Sequence, residues 1–160
     1  MARHVIFVIT FIFLGCEMNG EQIIKPNKLT FSDLKFNSVS KDLSNKFYNI
    51  SLNHEKTSQI IDYWFDNKIK SNGFDGHLNV TINKMDIIET KREDYFRFSI
   101  NLEIILIEKT IDKINKTYSV KANEYGEISG NFSIKDQENL SLNIMHQSID
   151  SVSKKLLELI

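Results

Sequence analysis

The side chains able to do chemistry are few in this chain, and their spacing keeps most of them apart. Cys16 is the single thiol among 160 residues. Without a second cysteine it cannot close an intramolecular disulfide, so its sulfur is available for modification. The four histidines, His4, His54, His77 and His146, are dispersed along the sequence. His54 with Glu55 reads as the solvated first turn of a helix, and His146, next to Met145, as a flank residue of another. A metal site would show as HExxH, CxxC or an Asp-rich loop, and none of these patterns occurs. Gly126 and Gly130 bracket Glu127-Ile128-Ser129, but no Lys-Ser/Thr follows Gly130, so the pair reads as a turn between strand and helix rather than a phosphate cradle. Trp64, flanked by Tyr63 and Phe65, could line a pocket; its helical spacing with Ile60, Ile61 and Ile69 favours a core position. Catalysis needs a nucleophile, a base and an orienting partner in convergence, or paired carboxylates, and no such set can be read here. The expectation is a protein that is not an enzyme, with no catalytic residue, no metal and no cofactor.

What surrounds Cys16 is more informative. Arg3 and His4 precede an apolar run at residues 5–14, which Gly15 and Cys16 close and Glu17, Asn19, Glu21 and Gln22 follow. A continuous helix across a bilayer needs about 20 apolar residues, so this run is too short to span; its length suits the h-region of a cleavable secretory leader. An ordinary cleavage site wants small residues at positions −3 and −1, and bulky Phe13 stands at −3. The segment Phe13-Leu14-Gly15-Cys16 resembles a lipobox, the end of a bacterial lipoprotein signal peptide, with Phe13 in place of the usual Leu. That resemblance implies cleavage before Cys16, a diacylglyceryl thioether on its sulfur and an acyl chain such as palmitate on its nitrogen. Each buried methylene contributes about 0.8 kcal/mol and one chain anchors only marginally, so this set would hold the protein on a membrane. The competing reading of Cys16 is a small buried hydrophobe at the end of a core segment. On the lipoprotein reading, residues 1–15 are a cleaved signal peptide, residues 16–28, with the only proline, Pro26, are a lipidated tether, and residues 29–160 form a single domain. In the enterobacterial sorting pattern an Asp after the cysteine retains a lipoprotein in the inner membrane. Glu17 is not Asp, so the resemblance implies the periplasmic face of the outer membrane.

Composition sets the remaining bounds. Hydrophobic residues at 41% and charged residues at 26% are those of a globular chain able to bury a core. Lys+Arg 20 against Asp+Glu 21 leaves a net charge of −1, so no global field recruits nucleic acid. Abundant Asn, Lys and Ile beside one Pro and six Gly read as the bias of an AT-rich genome. The same bias yields Asn-x-Ser/Thr triplets at Asn49, Asn79, Asn115, Asn131 and Asn139, which carry no meaning in a bacterial lipoprotein.

Periodicity supplies the elements. Leu29, Phe31, Leu34 and Phe36 bracket a short strand with a change of phase, so a bulge or bend is expected. Residues 41–52 show no clear pattern, though Phe47, Ile50 and Leu52 could cover an edge of the core. Asn53 is a candidate N-cap for a helix through Ser71, with Ile60, Ile61, Trp64, Phe65 and Ile69 on one face and Gly73 as a left-handed end. From His77 the period becomes two: Leu78, Val80 and Ile82 lie in one phase, Met85 and Ile87 in the other. Residues 89–94 read as a hairpin connection, followed by the longest alternation, Phe96, Phe98, Ile100, Leu102, Ile104 and Leu106. A polar link at residues 108–113 leads to a third strand through Tyr118, Val120 and Ala122. Helical spacing returns in Leu142, Met145, Ile149, Val152, Leu156 and Leu159, with Ser133 or Asp136 as the start and Gln147, Asp150, Lys154 and Lys155 on the solvent side. The order βαβββα predicts an α+β two-layer sandwich: an antiparallel sheet of about four strands with two helices on one face.

Behind a lipobox this layout resembles small proteobacterial envelope lipoproteins, of the lipopolysaccharide-assembly LptE type and the auxiliary lipoproteins of ABC-type lipid transporters. It is also similar to a group of alphaproteobacterial lipoproteins in which a helix with Trp, a basic residue and Gly precedes an alternating strand, here Trp64, Lys68 and Gly73 before Leu78, Val80 and Ile82. The resemblance implies a non-enzymatic accessory role in envelope assembly or lipid transport, with an envelope protein as partner. A different class of function, the holding of an acyl chain or other apolar ligand between helices and sheet, is suggested by Trp64, Phe65, Phe96, Phe98 and Ile100. Fold-level likeness alone fixes neither.

Overall fold

The computed structural model describes residues 31–45, 55–110 and 115–160. Cys16, its leader and tether, and also Leu29, Phe47, Ile50, Leu52, Asn53 and His54 lie outside the described residues. The elements run β1 (Leu34–Phe36), β2 (Ser40–Asn45), α1 (Glu55–Lys68), β3 (Ile69–Ser71), β4 (His77–Arg92), β5 (Tyr95–Lys109), β6 (Asn115–Ser129) and α2 (Ile134–Leu159).

The fold is α+β, as the periodicities predict. The long strands form because apolar and polar residues alternate in them. In β5, Phe96, Phe98, Ile100, Leu102, Ile104 and Leu106 are all buried, while their neighbours face outward. Strands β4, β5 and β6 make an antiparallel meander, and its register slips between Ile82 and Lys84. That slip is the expected change of phase: Leu78, Val80 and Ile82 are buried, and after one extra residue Met85 is buried in their place. The strands run further than expected. β4 extends to Arg92 and β5 begins at Tyr95, so most of residues 89–94 is ladder rather than connection.

The N-terminal strands depart from the expected plan. Leu34 and Phe36 are buried in β1, but β1 leaves the main sheet and pairs in parallel with β3. The fourth strand of the main sheet is β2, from the stretch without a readable pattern, and it pairs with β4 in parallel, making the sheet mixed in the order β2-β4-β5-β6. Helix α1 stops at Lys68; Ile69, which fits the helical face, is instead the fully buried first residue of β3. Lys41, reaching over from β2, helps to fix this end. Its ammonium donates to the carbonyls of Phe65, Asp66 and Ile69 and lies 4.4 Å from the centre of the Phe65 ring. A cation at a helix C-terminus meets both the orphan carbonyls and the dipole.

Helix α2 opens at Ser133 with a capping box closed by Asp136: the Ser133 Oγ accepts from the Asp136 amide at 3.2 Å, and the Ser133 amide donates to the Asp136 carboxylate at 2.8 Å. The Ser133 amide, and the Ser133 hydroxyl at 2.7 Å, both donate to the Asp136 carboxylate and hold it below its ordinary range. The helix runs antiparallel to β6, with Ser151 donating to Glu124 at 2.6 Å. It buries Ile144, Met145, Ile149, Val152 and Leu156, each worth about 1.5–3 kcal/mol when wholly removed from water. Leu159, expected on the same stripe, is exposed. The two helices meet where Trp64 Nε1 donates to Ser153 Oγ at 2.8 Å.

Candidate functional site

Cys16, the one site residue read from the sequence, lies outside the described residues. The others are placed clearly. Trp64 is wholly buried and belongs to the same cluster as Phe65, Phe96, Phe98 and Ile100, so the large side chains that suggested a ligand pocket are core. Gly126 is a strand residue rather than part of a turn: it lies opposite Phe98, and a Cβ there would come within 2.7 Å of Ile144 Cδ1 and 2.8 Å of Leu140 Cδ1 in α2. Gly130 does form the turn before α2, with φ of 87°. Gly73 is not a left-handed helix end; a Cβ there would meet the Asn37 carbonyl carbon at 2.4 Å. Its small size lets two backbone segments touch.

Two histidines take more definite roles than a linear reading gave them. His146 is stacked on Phe31, with ring centroids 4.6 Å apart, and its buried Nε2 has no hydrogen-bond partner among the described residues. Burial pushes its pKa down, and the carboxylate of Asp150 one turn on opposes that shift. His77 begins β4 and joins it to β2. Its Nδ1 lies 2.7 Å from Ser40 Oγ, and its Nε2 lies 3.0 Å from an Asp42 oxygen and 2.9 Å from Asn79 Oδ1. Register explains the convergence: Ser40 stands opposite His77 and Asp42 opposite Asn79, all on the outer face of the sheet. The residue types are those of a hydroxyl, a base and an orienting carboxylate. Their setting is a row of cross-strand pairs on an open sheet face, where such contacts tie a short edge strand to its neighbour. Sequence reasoning missed this group because β2 carried no readable period; the Ser-x-Asp and His-x-Asn spacings were the signal available.

Glu108 is a buried charged group. It is 4% exposed on the inner face of the sheet, and its Oε1 has no hydrogen-bond partner among the described residues. Together with burial, its charge raises the pKa of Tyr118. Among the described residues no group of three His, Cys, Asp or Glu side chains could hold a metal ion. No helix among them is long and apolar enough to cross a membrane.

The other notable feature is backbone. β6 is an edge strand running the length of Asn115–Ser129, paired continuously to β5, and no described strand pairs with its other side. β2, at the opposite edge, is six residues long. Long unbroken edges expose a row of amides and carbonyls that another strand can meet.

The sequence matches no protein-family model and no curated protein. Among solved structures, the chain is similar to rare lipoprotein B from Shewanella oneidensis, at 8% identity and a TM-score of 0.41, over 75% of this chain and 92% of that one. It is similar also to a minor lipoprotein from Acinetobacter baumannii, at 7% identity and a TM-score of 0.41, over 76% of this chain and 89% of that one.

Proposed function

We propose that this chain is a lipid-anchored, non-enzymatic accessory protein of the bacterial envelope. Cys16 holds it at the periplasmic face of the outer membrane, where it serves envelope assembly or lipid transport by binding and positioning a partner protein. The observation that carries the proposal is the lone cysteine at the end of an apolar leader too short to span a bilayer. Two features of the fold support the accessory role. The candidate side chains Trp64 and His77 bond to other parts of the fold, and the edge of β6 that no described strand covers, where Lys155 of α2 already takes the Lys121 carbonyl, offers a partner further main-chain hydrogen bonds by strand addition. The apolar-ligand alternative has no observation of its own, because the side chains that suggested it form the core.

Intact-mass measurement of the protein from its native membrane, beside Cys16→Ser, tests the anchor. The expected product begins at Cys16 and carries acyl groups that the variant lacks; an unmodified chain retaining residues 1–15 would refute the reading. Mild crosslinking in the native envelope tests the role. Copurification of a membrane partner is expected, and persistence as a lone monomer would count against it.

A further inference from the structure

We propose that the paired loops at one end of the sheet, tipped by Phe74 and Val39, dock into the surface of an anionic phospholipid bilayer. Phe74 is 101% exposed and Val39 61%, the former as bare as an aromatic side chain can be. Neither sits on a loose loop. The Asn72 amide donates to the Phe36 carbonyl at 3.1 Å, Gly73 to Ser38 at 3.0 Å, and Val39 to Asp75 at 3.1 Å, so the two segments are stitched to one another. Beneath them the Ser38 hydroxyl, fully buried, donates to Ser71 Oγ at 3.1 Å. Gly73 permits the close approach to Asn37, and Gly76, at φ of 80°, turns against the Lys109 carbonyl. The fold thus spends two glycines and a buried hydroxyl on holding apolar side chains in water.

Single exposed hydrophobic residues are ordinary, and Phe74 alone would mean little. The charge around this pair selects the occupant. Lys35 and Lys70 are register partners immediately behind the two loops, and Lys109 packs its backbone against Gly76, while the tip segment itself carries one carboxylate, Asp75. Apolar side chains at a tip with lysines set behind them match a bilayer: the ring enters the headgroup boundary while the ammonium groups stay level with lipid phosphates. The chain also enters the described fold at Phe31, fifteen residues after Cys16. An extended segment of that length reaches about 50 Å, ample for the tip to rest on the membrane that holds the anchor. In this respect the inference rests on the anchoring reading, although the tip is tested separately.

The experiment uses the full chain carrying Phe74→Trp, on phosphatidylglycerol-containing vesicles with or without shallow bromine-labelled acyl chains. Wholly exposed Phe74 can be exchanged without touching the core, and the buried Trp64 reports that the fold is intact. The expected result is a blue-shifted emission from position 74 that brominated lipid quenches. A protein that sediments with the vesicles but keeps an unquenched, water-exposed indole at position 74 would overturn the proposal while leaving the anchor standing, and would turn the tip toward a protein pocket instead. Quenching that persists with Cys16→Ser would support the tip independently of the anchor. An indole left unquenched by a protein that does not sediment would overturn the tip and the anchor together.

Discussion

At the scale of single residues, the informative side chains are those that the interior constrains. Trp64 was legible as core because helical spacing placed it among Ile60 and Ile61, but its partner Ser153 was not, since a hydroxyl on an apolar stripe carries no period of its own. Ser153 is 1% exposed; it accepts from the Trp64 indole and donates to the Ile149 carbonyl at 2.8 Å, so both side-chain polar atoms of this pair are satisfied. His146 is the contrasting case, a ring held against Phe31 with one nitrogen unmet among the described residues. Burial lowers its folded-state pKa below the ordinary imidazole value. Well above about pH 6.5 both folded and unfolded forms are neutral there, and the group adds no pH dependence. Below that value the unfolded chain takes the proton first, so stability falls with pH until the folded-state pKa is passed, then levels. Urea denaturation across pH 7 to 5 should show this slope in the native sequence and a smaller one in His146→Phe, which keeps the stack; equal slopes would mean that His146 is not the group responsible.

At the scale of elements, backbone contacts decide more than propensity. The sequence read Gly73 as a helix end and Gly126 as part of a turn, and each is placed for close packing instead. The obstacles differ. At Gly73 an added Cβ meets backbone, Asn37 C at 2.4 Å and Ser38 N at 2.6 Å, which cannot yield without separating the stitched loops. At Gly126 it meets the ends of Ile144 and Leu140, side chains that can change rotamer. Gly73→Ala should therefore cost well over the roughly 1–3 kcal/mol typical of overpacking, and Gly126→Ala should fall within or below that range. Paired denaturation curves check the ranking, and a larger loss at Gly126 would invert the account. The long strands and α2 were legible because one wet face and one dry face write a period into the residues, even the bulge between Ile82 and Lys84. β2 was not, because it is a short edge strand of sequence SKDLSN whose inner Lys41 serves a helix terminus instead of the core. Parallel pairing of β2 with β4 follows from α1 lying between them, and no single-strand pattern encodes that choice.

At the scale of the whole molecule, the layers are unequal in their protection. β5 is paired on both sides and covered by helix, whereas among the described residues β6 is paired on one side. Amide hydrogen exchange should be slowest in β5, with alternate amides of β6 exchanging far faster because they point away from the sheet. Binding of a partner by strand addition should slow that alternate set selectively; uniform protection of β6 in the isolated protein would show that its edge is already covered. The parallel pairings carry a consequence in time. The β4–β5–β6 meander closes through short connections, but Leu34 must find Ile69 and Ser40 must find His77. A chain that emerges N-terminus first, from a ribosome or a translocation pore, presents β1 and β2 before their partners exist in the same compartment. Those two strands wait as unpaired edges until α1 and the start of β4 have followed, and in that interval the nascent protein is most open to capture by a chaperone or to pairing with the wrong chain.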